Sequence, residues 1–136
     1  MRGMRLNSWL LAGALLALLV ASLAPAGAQD GVVRTELRRG DLTGREGTEV
    51  IMTVLRVAPG ARVPRHIHHG DEFLYVIRGG AIQEPGGEVV RLEPGATLHY
   101  PREVPHGGFV VVGDATIEVL TTHIVDKGKP FAEPVE

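Results

Sequence analysis

The sequence predicts an all-β domain, either a small barrel or a sandwich. Beyond an N-terminal apolar run, no stretch keeps the 3.6-residue apolar period of an amphipathic helix. Short segments rich in valine, isoleucine and threonine recur instead. Turn-forming pairs separate them: Pro59-Gly60, Pro85-Gly86, Pro94-Gly95 and Gly113-Asp114.

Taken in order, Gly31–Arg38 reads as a first strand, followed by a polar, glycine-punctuated loop from Gly40 to Gly47. Glu49–Ala58 is the strongest strand and is stopped by Pro59-Gly60. Arg62–His68 is extended, and Phe73–Arg78 is another strand. Gly79-Gly80 and Gly86-Gly87 are expected to be hairpin turns around Ala81–Gln83 and Val89–Leu92. Ala96–Tyr100, Phe109–Val112 and Ala115–Val125 complete the strands, with Gly113-Asp114 as a hairpin turn. The tail from Asp126 holds two prolines and is expected to wrap the surface. There is no fixed-period repeat or low-complexity tract.

The first 28 residues stand apart. Arg2 and Arg5 precede an apolar run from Trp9 to Leu23, and Ala26 and Ala28 supply a small-x-small cleavage pattern. The run is shorter than the roughly 20 residues that span a bilayer. Residues 1–28 are therefore expected to be a cleavable signal peptide of the general secretory kind, with the mature chain starting at Gln29 or Asp30. The remaining divisions are an N-terminal strand and loop at 29–48, a barrel at 49–125 and a C-terminal tail at 126–136. The expected location is periplasmic or secreted, with no membrane contact after cleavage.

Composition narrows the chemistry. Losing residues 1–28 removes two arginines and no acid, which moves the net charge from −2 to −4. Nothing resembles a basic patch for nucleic acid. The chain has no cysteine, so disulfides and thiolate ligands are excluded, and so is a lipoprotein anchor. Ser8 and Ser22 are the only serines and both lie in the leader, which removes a serine nucleophile from the mature chain. The glycine pairs do not form a phosphate loop, because no Gly-Lys-Ser/Thr follows them.

One stretch carries more than structure. Between Gly60 and Gly79 lie His66, His68 and Glu72. Residues two apart in a strand share a face, so both imidazoles can converge on one point, whereas a helix would splay them by about 200°. The Gly70-Asp71 pair permits a tight turn that would bring Glu72 back across a hairpin. Two imidazoles and a carboxylate are a partial shell for a divalent metal.

These residues resemble the first motif of the cupin family, a small jelly-roll β-barrel. That motif is Gly, five residues, His-x-His, three or four residues, Glu, six residues, Gly, and Gly60, His66, His68, Glu72 and Gly79 satisfy every spacing. The second motif is matched by Gly95, Pro101 and His106, with Glu103 where a second glycine is usual and Val110 where asparagine is usual. The resemblance covers Glu49 to about Val125. It implies metal ligation by His66, His68, Glu72 and His106, with Glu72 also available as a catalytic base. The implied cofactor is one divalent transition metal, iron, manganese, nickel, copper or zinc. It also implies a homodimer paired through an edge strand. Of the other candidates, His69 is expected on the surface by strand parity, His99 packed or solvent-facing, and His123 structural. Tyr75, Tyr100 and Phe109 read as barrel wall, and Glu103 as a solvated turn residue. Arg62, Arg65, Arg78 and Arg102 could meet an anionic substrate, though exposed arginines at turns need no such partner.

Two classes of function follow. One is a metal-dependent cupin enzyme acting on a small organic substrate, of which a dioxygenase is the commonest kind and a non-redox isomerase or lyase uses the same residues. The other is a periplasmic metal or small-ligand binding module without turnover. The fold does not choose between them.

Overall fold

The computed structural model describes residues 30–136, and the expected signal peptide lies outside them. Ten strands form: β1 Val32–Asp41, β2 Thr48–Val57, β3 His66–Ile67, β4 Gly70–Arg78, β5 Gly80–Gln83, β6 Val89–Leu92, β7 Thr97–Tyr100, β8 Val110–Val112, β9 Ile117–Asp126 and β10 Glu133–Pro134. Among the described residues there is no helix. They pair as a five-stranded antiparallel sheet in the order β1-β2-β9-β4-β7, a three-stranded sheet β6-β5-β8, and the pair β10-β3.

Strand alternation builds the core. Along β2, Ile51, Thr53, Leu55 and Val57 are buried, and their neighbours Val50, Met52, Val54 and Arg56 face the other way. The buried cluster joins Leu55, Val57, Val76, Ile117 and Val119 of the large sheet to Ile82 and Val111 of the small one. The two sheets are thus the walls of one β-barrel. Its interior changes character along β9. Ile117 and Val119 are followed on the same face by Thr121 and His123, all of them buried. That polar end holds the site.

Several local expectations are corrected. Gly70 does not turn a hairpin but begins β4, with its backbone against β9; a Cβ there would meet the Ile124 carbonyl oxygen at 2.0 Å. Gly79 is likewise no hairpin turn, since β4 and β5 lie in different sheets. A Cβ at Gly79 would meet the Leu92 carbonyl oxygen at 2.0 Å, so the residue is required by close approach. Gly113-Asp114 also carries the chain from one sheet to the other. Only Gly86-Gly87 turns a hairpin as expected, joining β5 to β6. The tail does not merely wrap the surface. β10 pairs with β3, Glu133 opposite Ile67 and Pro134 opposite His66.

Candidate metal centre

β3 is only two residues long, so strand parity alone does not explain how the histidines converge. His66 is fixed by a backbone pair with His106, each N–H donating to the other's carbonyl oxygen at 2.9 and 3.0 Å. His68 lies just beyond β3, with its side chain almost fully buried. Glu72 enters from β4, where it sits opposite Tyr100 of β7 and His123 of β9. The ligating atoms of His66, His68, Glu72 and His106 all lie within 4.8 Å of one another. The four residues expected from the motif spacing do come together.

Each of the three imidazoles is held by its rear nitrogen. His66 Nδ1 is 2.7 Å from the Pro64 carbonyl oxygen, His68 Nδ1 is 2.5 Å from that of Phe131, and His106 Nδ1 is 2.9 Å from that of Val104. A carbonyl only accepts, so Nδ1 carries a proton in each ring, and in the neutral imidazole Nε2 keeps its lone pair. The Nε2 atoms of His68 and His106 are buried without a hydrogen bond. They stand 3.4 and 2.9 Å from Glu72 Oε2. Lone pairs facing a carboxylate repel unless a cation lies between them. Donor atoms that share one divalent metal at bonds of about 2.1 Å stand at separations of this order. The donor set and its tautomers therefore fit a divalent transition metal.

With no cation between them, the groups set one another's protonation. Burial pushes the Glu72 carboxyl up, but the His106 and His68 side chains outweigh this and hold it well below the usual carboxylate range. Burial lowers the His66 pKa to about 4. For His106, burial acts downward, but the adjacent Glu72 prevails and the net direction is upward.

His123 is the residue the sequence reading undervalued. It is fully buried, its ring lies 4.6 Å from that of His68, and its Nε2 is 3.7 Å from Glu72 Oε1. Its Nε2 shares a hydrogen bond with Thr121 Oγ1 at 2.8 Å, and Thr121 meets Thr53 at 2.7 Å. Thr53 in turn accepts from Arg34 Nη1 at 3.0 Å. Alternation along β9 was the available signal. Burial lowers the His123 pKa to about 3, so the ring is neutral. Arg34 is exposed overall, yet its pKa is drawn down by partial desolvation, an effect the Glu72 charge opposes.

Most of the remaining candidates lie away from the four. His69 is mostly covered rather than exposed, with Nε2 3.0 Å from Glu133 and Nδ1 3.6 Å from Glu103. His99 faces solvent on the outer side, stacked on Phe73 at 4.4 Å. Tyr75 is 48% exposed on that same side, so it is not interior wall. Tyr100 and Phe109 do line the interior. Arg62 donates to the Gly108 carbonyl and Arg102 is bidentate with Asp126. Glu103 is the only non-glycine among the described residues with a left-handed backbone, φ 61°. That is the conformation for which a glycine suits the position.

A cavity of about 340 Å³ runs from His66, Glu72 and His106 into the barrel. Its lining includes the exposed Arg34, Arg65 and Pro105, the half-buried Tyr100, and the buried Leu55, Ile82 and Val119. Tyr100 stacks on His106 at 4.2 Å.

Fold and site together define a β-barrel with three histidines and one glutamate gathered at one end. Residues 53–123 match the Cupin domain family, and the chain belongs to it. Three solved structures illustrate the likeness. The polyketide cyclase RemF of Streptomyces resistomycificus is 24% identical with a TM-score of 0.56, over 79% of this chain and 72% of that one. KdgF of Halomonas sp. is 22% identical with a TM-score of 0.53, over 74% and 86%. The DMSP lyase DddQ of Ruegeria pomeroyi DSS-3 is 19% identical with a TM-score of 0.56, over 81% and 55%. No curated protein matches the chain.

Proposed function

We propose that the protein is a metal-dependent enzyme acting on a small organic molecule held in the barrel. The observation that carries this is the set of three imidazoles, each tied through Nδ1 to a backbone carbonyl, beside one buried carboxylate at the head of a cavity. His66, His68, Glu72 and His106 would hold the ion. When bound, a divalent metal supplies Lewis acidity that makes a coordinated substrate more acidic and opens a route to dioxygenase chemistry. Glu72 stays ionised at neutral pH and is placed to accept a proton through a carboxylate oxygen. Burial raises the Tyr100 pKa, so its phenol keeps its proton and can donate to a substrate oxygen. The apolar walls limit water around the reacting group.

A passive metal site needs no cavity, and the opening into the barrel favours small-molecule chemistry over a purely structural ion. The test is oxygen uptake by iron-, nickel-, copper- and manganese-loaded protein offered catechols, flavonols and β-diketones. Uptake coupled to product formation supports the dioxygenase. Conversion without oxygen consumption supports an isomerase or lyase. Full metal occupancy with no conversion by any form overturns the enzyme reading in favour of a binding module.

Two further parts of the proposal concern setting and assembly. The basic N-terminus and the apolar run before Ala28 support export, which N-terminal sequencing of fractionated protein would test by finding Gln29 or Asp30 first. Strand β1 is paired on one edge only and leaves Val33 57% and Leu37 52% exposed. A second copy covering this strand would remove the liability. Sedimentation should show a homodimer, and a monomer at high micromolar concentration would refute it.

A further inference from the structure

The metal-centre reading leaves the kind of substrate open, and the cavity lining narrows it. Arg34 and Arg65 are the two exposed basic residues lining the cavity, together with His66, Glu72 and His106. Neither arginine belongs to an ion pair among the described residues, so both are free to meet a ligand. Residues 1–29 contain no aspartate or glutamate, so no acid partner lies there either. Glu84, the other acid of the lining besides Glu72, makes no ion pair with them.

Arg34 is the better placed of the two. Its Nη1 donates to Thr53 Oγ1 at 3.0 Å, and Thr53 is itself buried and fixed by Thr121. Its guanidinium carbon lies 4.7 Å from the centre of the Phe131 ring, which supports the group from one side. The rest of its planar fork has no hydrogen-bond partner among the described residues, and a planar fork matches a carboxylate in two-point contact. A guanidinium anchored on a buried hydroxyl and an aromatic face loses little freedom on meeting an anion.

We propose that the substrate carries a carboxylate, which Arg34 takes while another oxygen of the same molecule reaches the metal held by His66, His68, Glu72 and His106. This rests on the metal-centre reading. Arg34 is thus a substrate-binding residue that sets specificity for organic acids.

The test measures binding, not turnover. Cobalt-loaded protein is titrated with malonate, succinate, glutarate and adipate, and with the monoamide of each, following cobalt absorption and calorimetry. The dicarboxylate of fitting length should bind at least about tenfold more tightly than its monoamide, the range of a charge-assisted pair. Arg34→Gln should abolish that preference, Arg34→Lys should keep part of it, and Arg91→Gln should leave it whole. Thermal melts of each variant confirm that the fold is retained. Metal uptake with no preference, or a preference that survives Arg34→Gln, overturns the inference and leaves the metal centre standing. Failure of the wild-type protein to take up cobalt overturns the metal centre and this inference with it.

Discussion

His68 Nδ1 donates to the carbonyl oxygen of Phe131, 63 residues further along the chain. The contact fixes the tautomer of a buried candidate ligand by means of the C-terminal tail. The Phe131 ring also packs on His68 and His123, at 5.2 and 4.6 Å between centres. Val135 N–H donates to the Arg65 carbonyl, and β10 pairs with β3. The tail is therefore a strap across the back of the site.

Removing residues 131–136 should weaken metal binding by about 10- to 100-fold, the usual effect of losing a partner that orients a ligand. Phe131→Ala keeps the carbonyl and loses the ring, so it should lower melting temperature more than metal affinity. Competition titration against a chromophoric chelator, with a melt of each variant, checks both. Equal affinity in the truncated and full chains would show that the strap does not position His68.

His68→Ala should lower both metal content and the melting temperature of metal-loaded protein, because binding to the native state stabilises it. His123→Asn should keep metal stoichiometry, since His123 is not among the four converging ligands. Elemental analysis separates the two. If the chain is exported as proposed, protein recovered from the periplasm should carry zinc or copper, the stronger binders of nitrogen and oxygen donors, and stoichiometric iron or manganese would refute that.

The contrast between His68 and Phe131 shows which relations a sequence carries. The convergence of His66, His68, Glu72 and His106 was legible because their spacing, between flanking glycines and prolines, matches the two motifs of the family. Phe131 was not legible, because its place depends on β10 pairing with β3 across more than sixty residues. His123 reaches the site through the β4–β9 register that sets it opposite Glu72. That register appears only once the sheet is assembled. The hairpins expected at Gly79 and Gly113 failed for the same reason. A glycine pair signals a turn but not whether the next strand returns to the same sheet.

Gly70→Ala should be severely destabilising, by about 3 kcal/mol or more, because the added carbon would sit 2.0 Å from the Ile124 carbonyl oxygen. The atom it meets is backbone inside a sheet, so neither partner can swing aside. Urea denaturation of the metal-free protein is the measurement. A change below 1 kcal/mol would mean that β4 and β9 separate more readily than their pairing indicates.

Glu103→Gly should stabilise the fold by about 0.5–1 kcal/mol. The left-handed backbone at φ 61° costs a non-glycine residue about 1–2 kcal/mol, partly offset by the freedom glycine brings to the unfolded chain. The lost contact with His69, at 3.6 Å and 57% exposed on the glutamate side, contributes little. A rise in denaturation midpoint with unchanged slope is expected, and a fall would assign Glu103 a larger part in holding His69.

Acid should unfold the metal-free protein through its buried neutral histidines. Burial depresses His66 to about 4 and His123 to about 3, against an ordinary value of 6.5. Between 6.5 and these values the unfolded chain binds protons that the folded chain does not, so stability falls as pH falls across that window. Glu72 adds to the loss at lower pH, since its depressed pKa stabilises the fold only while the carboxylate is ionised. His106 opposes the trend, its pKa being raised in the fold. His66 and His123 together outweigh it, and the melting temperature should drop steadily from pH 7 to pH 4. His123→Asn removes one of the two groups and should flatten the slope, whatever it does to stability at pH 7. An unchanged slope in that variant would mean that His123 is protonated in the folded protein and that its burial does not keep it neutral.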